Sequence, residues 1–200
     1  MANVTDGELI QRLNRSGLSK NVVNELYSVL KPLIDSGQTL DEVTATSTEL
    51  NRAADTSARV VDATAATLTV TEAEHDGKII TLNRAAGIAV TLPVPSAGQW
   101  YRFIVQTTFT GAASIKSVAG THIMIGHAYM GNDTDNSTVA WQSLAASTND
   151  TIDLFGTANS TGGIAGQYIE IMGLSTTVWE VRMFCDAAGT EATPFANTVA

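Results

Sequence analysis

Near residue 67 the spacing of apolar side chains changes, and no other feature of the chain restricts its fold as much. Between residues 5 and 34 they return every three or four positions; beyond 67 they return every second position. The first spacing lines one stripe of a helix, the second one face of a strand. In "KIITLN" Ile80 and Leu82 share a face; in "GIAVTLP" Ile88, Val90 and Leu92 do. In "WYRFIVQTT" Tyr101, Phe103 and Val105 alternate against Arg102 and Gln106. "TIDLFG" pairs Ile152 with Leu154, "QYIEIMG" follows, and "VWEVRMFC" sets Trp179, Val181, Met183 and Cys185 on one side. Less regular strands are "ASIKSV", "HIMIGHAYM" and "VAWQSLA". Turn signals separate them: "NRAAG", "PVPSAG", "TGG" and "GLSTT". About eight to ten short strands with such turns predict a sandwich or barrel. No strand–helix–strand alternation is present, which argues against a doubly wound nucleotide fold. Within the strands, "TEAEHDG" has Thr71 and Glu74 at capping-box spacing and then Gly77, predicting a single helical turn.

The first part of the chain reads differently. Thr5 and Glu8 form a capping box ahead of Leu9, Ile10 and Leu13. Gly17 ends that turn and Ser19 can cap a second helix. Val22, Val23, Leu26, Val29, Leu30 and Leu33 make one apolar stripe, which Pro32 interrupts and "DSG" closes. A stripe this wide predicts burial against the chain itself, another subunit or a different protein. Thr46, Glu49 and Leu50 suggest a short helix over 46–54. Between Leu50 and Val70 the only large apolar residues are Val60, Val61 and Leu68, too few for a core. The expected organisation is a helical arm at 1–37, an extended connector at 38–66 and a β domain at 67–200. The expected interface residues are Val22, Leu26, Val29, Leu33, Leu50, Val60 and Val61.

Composition removes several function classes. The net charge is −9, with only 11 Lys and Arg residues thinly spread. A nucleic-acid or anionic-membrane surface needs a basic stripe, so neither partner is expected. The one cysteine, Cys185, excludes an internal disulfide and reads as a small core side chain. No apolar run reaches the roughly 20 residues of a membrane helix. "MANVTDGELI" has no signal-peptide pattern, so a chain made in a cytoplasm is expected.

Candidate chemistry is sparse. The nucleophile-elbow, phosphate-loop, zinc-protease and dinucleotide motifs do not occur. His122 and His127 would fall on opposite faces of a strand and cannot chelate one metal as a local pair. They read as surface or interface residues. Glu170 and Glu180, on successive strands, are the one pair at which a glycosidase arrangement is conceivable, with Tyr168 and Trp179 near them. The default for such residues is solvent-facing charge. Asp133, Asp135 and Ser137 in "GNDTDNST" are spaced as in a calcium loop but lack its closing glutamate, so a polar turn is expected. No catalytic residue, cofactor or metal is expected.

Three stretches resemble proteins of tailed-bacteriophage particles. "TATSTELNRAAD" looks like the T-A-x-x-x-E-L-N element of many phage structural proteins. "LTVTEAEHDGKIITLNRAAGIAVTLPVPSAGQWYRFIVQTT" resembles a module of phage virion proteins, and "GGIAGQYIEIMGLSTTVWEVRMF" with "GTEATPF" fits its end. The likeness spans about 44–195. It implies a head decoration, or cement, protein that binds the major capsid protein on the outside of the assembled head, commonly as a homotrimer. The expected fold is then mainly β: an antiparallel, jelly-roll-like β-sandwich with a short α-helical N-terminal region. The chain would sit on the virion surface after assembly in the host cytoplasm. The alternative implied is a head or tail fibre module that contacts host glycans.

Overall fold

The computed structural model describes residues 59–156 and 158–199, together with Gln11, Val23 and Asn24. The chain divides into two compact units, 1–54 and 55–200. In the first, Gln11, Val23 and Asn24 are helical, with Val23 buried and Asn24 exposed, as the apolar stripe requires there. Val22, Leu26, Val29, Leu33 and Leu50 lie outside the described residues, as does most of the predicted arm.

The second unit is mainly β. Its strands are β1 (Val60–Ala63), β2 (Thr67–Thr69), β3 (Lys78–Leu82), β4 (Ala89–Thr91), β5 (Trp100–Val105) and β6 (Ser114–Lys116). Then come β7 (Ile123–Asn132), β8 (Thr138–Ser143), β9 (Thr151–Asp153), β10 (Tyr168–Gly173), β11 (Val178–Ala187) and β12 (Phe195–Ala196). One helical turn, α1 (Glu72–His75), lies between β2 and β3. They form a seven-stranded sheet in the order β1-β3-β5-β10-β11-β7-β8 and a five-stranded sheet in the order β12-β9-β6-β4-β2.

Both sheets are mixed, which corrects the antiparallel expectation. From β1 to β6 the chain crosses from one sheet to the other at every step. Each strand therefore pairs with the next but one, in parallel: β1 with β3, β3 with β5, β2 with β4, and β4 with β6. A parallel neighbour needs a long crossover. Here the crossover is a strand of the opposite sheet, so the chain forms stacked coils and needs no helix. Hairpins return only afterwards, in β7–β8 and β10–β11, and β10 joins β5 to β11 by antiparallel pairing on both sides. Period-two alternation reports which face a residue occupies. It carries nothing about the direction of the neighbouring strand.

The coils stack closely. A Cβ on Gly87, whose φ is +88°, would lie 2.0 Å from the Ala112 carbonyl oxygen of the next coil. Only glycine fits the "NRAAG" corner for both reasons. A polar ladder runs beside it: Asn83 donates to Asp62 (3.3 Å), and the Thr107 hydroxyl donates to Asn83 (2.7 Å). The α1 turn forms where "TEAEHDG" predicts it, and Gly77 closes it at φ +71°. The predicted hydroxyl-to-amide cap is not made; instead the Thr71 amide donates to His75 Nδ1 at 3.1 Å. The Asp76 carboxylate then accepts from the Trp100 amide (2.8 Å) and fixes the start of β5.

One core serves both sheets. It includes Ile80, Leu82, Val90, Tyr101, Phe103, Ile115, Ile152, Trp179, Val181, Met183 and Cys185. Its members among the described residues lie between Ala63 and Phe195. β1 falls within the stretch expected to be connector. Val61 packs against the core and Ala63 is buried, while Val60 points outward and is 51% exposed.

Two core groups carry a polar atom without a hydrogen-bond partner among the described residues, Tyr101 Oη and Trp179 Nε1. Burial, then the carboxylates of Asp76 and Glu72, raises the Tyr101 hydroxyl above the ordinary phenol range. Burial, then Asp186, pushes the Cys185 thiol up to about 12. Folding therefore favours the protonated form of both. Their contribution to stability is intact below about pH 9, the ordinary thiol value, and is lost as pH climbs from there. The expected melting temperature is flat up to that point and falls above it. Tyr101→Phe removes an unpartnered hydroxyl and is expected to hold or raise stability at neutral pH by up to about 1 kcal/mol. It should also flatten the alkaline decline. Thermal melts across pH check both; a large loss at neutral pH would show that the hydroxyl is satisfied after all.

Candidate binding face

The outer face of the seven-stranded sheet holds the densest grouping of chemistry-bearing side chains described in the β unit. Residues of even number on β5, β10 and β11 point outward, opposite the core set. The strand register then aligns three outward rows. The first row runs Ile104, Tyr168, Phe184, Tyr129. Arg102, Glu170, Arg182 and His127 make up the second, and Trp100, Met172, Glu180 and Ile125 the third.

The first row is a stack. Tyr168 and Phe184 lie 5.2 Å apart at 25°, Phe184 and Tyr129 5.3 Å apart at 21°. His127 continues it against Tyr129 at 6.3 Å and 19°. Near-parallel rings this close overlap face to face with an offset. They therefore stand on edge from the sheet and form a ridge, not a flat shelf. The Arg102 guanidinium caps the other end, 5.7 Å from the Tyr168 ring and 5.5 Å from Trp100. Phe184 is 44% exposed and Tyr129 41%. The ridge residues Tyr129, Tyr168 and Phe184 form one wall of an open hollow of about 410 Å³, bounded elsewhere by Gly131, Thr138, Gly166, Gln167 and Asp186.

The charges in the second and third rows are paired within the chain. Arg102 Nε donates to Glu170 at 3.0 Å, and a guanidinium nitrogen forms a second bond to the same oxygen. Arg182 donates to Glu180 at 2.9 and 2.8 Å. The two carboxylates thus sit on neighbouring strands, as the sequence suggests, but Glu170 is opposite Arg182 and Glu180 opposite Met172. The hollow between them is about 30 Å³, space for roughly one water. Trp179 is buried in the core, tilted against Tyr101 at 5.9 Å, and so does not share a face with Tyr168.

The remaining candidates are dispersed. His122 is half-buried just before β7, and His127 is exposed on β7. Asp135 accepts from the Ser137 amide at 2.9 Å, and the Ser137 hydroxyl and amide hold its carboxyl below the usual range. Asn132 Oδ1 accepts from the amide and hydroxyl of Thr134. These side chains are spent on their own turn. Among the described residues, no three His, Cys, Asp or Glu side chains group closely enough to share a metal ion.

The ridge escapes a reading of single strands because Tyr129, Tyr168 and Phe184 come from three separate segments and the capping Arg102 from a fourth. Its signal was nonetheless present. "WYRFIV", "YIEIM" and "VWEVRMF" have apolar residues at both parities, as strands covered on both faces do. The fold and this face define a mainly β protein of two mixed sheets with an aromatic–arginine ridge. Comparison of the chain with protein-family models, curated proteins and solved structures finds no match in any of the three.

Proposed function

We propose that this chain is a structural protein of a tailed-phage particle, a head decoration protein that docks on the major capsid protein and stabilises the assembled shell as a trimer. The observation that carries the reading is the division of labour in the chain. Among the described residues the core cluster of the β unit runs from Ala63 to Phe195, and residues 1–54 form a separate compact unit. That suits a self-sufficient body combined with an N-terminal region whose apolar stripe serves docking. The phage assignment itself rests on the sequence resemblance. The mechanism is mass action: a protein that binds the assembled shell and not its free subunits stabilises the shell, and multiple copies add avidity. The two sheets around one core are the sandwich-like body of this reading.

Two alternatives receive less support. A sugar stacks on an open ring face, and in the ridge those faces cover one another. A glycosidase needs one carboxyl protonated and one free, whereas Glu170 and Glu180 are each bound by an arginine.

The test uses shells depleted of the protein. Full-length chain is expected to fill them, with bound copies counted by sedimentation and gel. A chain lacking 1–37 is expected to melt cooperatively but bind at least about a hundredfold more weakly, since each buried Leu or Val contributes about 1.5–3 kcal/mol. Full occupancy by the truncated chain would overturn the docking role of the arm; an unfolded truncated chain would place those helices in the core.

A further inference from the structure

We propose that the outer face of the seven-stranded sheet, centred on Tyr168, Phe184 and Tyr129, is the surface through which copies of this chain bind one another. The idea deepens the oligomeric part of the reading above and rests on it only for the number of copies.

Three observations select a second copy as the occupant. The first is charge. The chain carries −9, so two copies repel over most orientations. At the centre of this face Arg102, Arg182, Glu170 and Glu180 are two of each sign and paired internally, while Asp62 on β1 stands at one edge, hydrogen-bonded by Thr81 and Asn83. Asp186 stands at the rim. The centres of two such faces meet without net repulsion and without stripping a lone charge of water, the aspartates remaining at the solvated edges. The second is area. Seven strands spaced about 4.8 Å apart and roughly 20 Å long give a plane on the order of 600 Å², before side-chain relief is counted. A stable interface takes about 800 Å² from each partner. The third is shape. The aromatic ridge and the hollow of about 410 Å³ lie side by side on the same face. A ridge beside a hollow is self-complementary: the ridge of one copy enters the hollow of the next. When each copy's ridge enters the hollow of the next without the reverse contact, the interface is heterologous and closes into a ring around a threefold axis. The residue types match as well, since aromatic and arginine side chains dominate interface energetics.

The experiment measures the mass of the full chain by analytical ultracentrifugation over a concentration series. Wild type is expected to be a multimer. Phe184→Asp is expected to raise the dissociation constant at least about thirtyfold, the effect of losing a central anchor. Val118→Asp, an equally severe change at another exposed apolar residue, just after β6 of the smaller sheet and off this face, is expected to leave the mass unaltered. A monomeric wild type would sink the proposal, as would wild-type association by Phe184→Asp or equal disruption by Val118→Asp. If Phe184→Asp loses its cooperative melt, Phe184→Ser and Tyr129→Ser take its place, with the same outcomes deciding. Shell occupancy is read separately, so failure of the decoration role leaves this result standing, and the reverse.

Discussion

A Gly126→Val chain is expected to have no cooperative unfolding transition and to accumulate as insoluble material. Gly126 lies in the middle of β7, at φ +141° and directly opposite Val181 of β11. A Cβ there would sit 1.9 Å from the Val181 carbonyl oxygen and 2.8 Å from its carbon. Those are backbone atoms of the longest ladder among the described residues, and they cannot move aside like the end of a side chain. Two costs add: a conformation that L-residues rarely adopt, and a contact relieved only by parting β7 from β11. The loss exceeds the roughly 4–5 kcal/mol that marks the extreme of single substitutions. It is comparable to the whole stability of many domains, about 5–15 kcal/mol. Soluble yield, with a thermal melt of whatever is recovered, checks it; a wild-type melt would mean that the ladder shifts register there at little cost.

Trp179→Ala is expected to fold and to lose about 3–5 kcal/mol, the usual range for emptying a large aromatic site. Trp179 is fully buried and packs on Tyr101 across β10, which lies between their strands. For a unit of this size the loss corresponds to a fall in melting temperature of roughly 10–15 °C. Trp179→Phe should recover most of it, because the indole Nε1 has no partner among the described residues to lose. Calorimetry of the three chains gives the comparison. A phenylalanine variant as weak as the alanine one would show that the nitrogen is bonded.

The inward residues were legible from the chain alone, and the arrangement of strands was not. Tyr101, Phe103, Val105, Trp179, Val181 and Met183 are buried as the alternation places them, because a period of two fixes the face on which a residue lies. Parallel coils escaped because the crossings from β1 to β6 look locally like hairpin turns. "NRAAG" has turn chemistry, yet it sends the chain to the other sheet. β1 escaped because two valines followed by an aspartate and an alanine are too few to signal a strand; the β3 edge supplies what the sequence does not. Glu170 and Glu180 were placed on adjacent strands correctly, but their arginine partners depend on register, which no single strand encodes. The aromatic ridge depends on it even more, since its members are brought together from β5, β7, β10 and β11.

The position of β1 also governs how the body bears load. Among the described residues it is the outermost strand of the larger sheet and is paired on one side only, in parallel with β3. It is also where the chain enters the β unit. Tension applied through the preceding residues pulls on an edge, so its ladder opens one hydrogen bond after another, as a zipper does. Shear across a central strand would instead break many bonds together. Because the coils are stacked in chain order, release of β1 frees β2 and then exposes β3 to the same pull. The body is thus mechanically weakest at its entry and strongest around β10 and β11, in the middle of the sheet. A protein held by its N-terminal region would yield to force gradually, in steps of one coil, before its central core gives way.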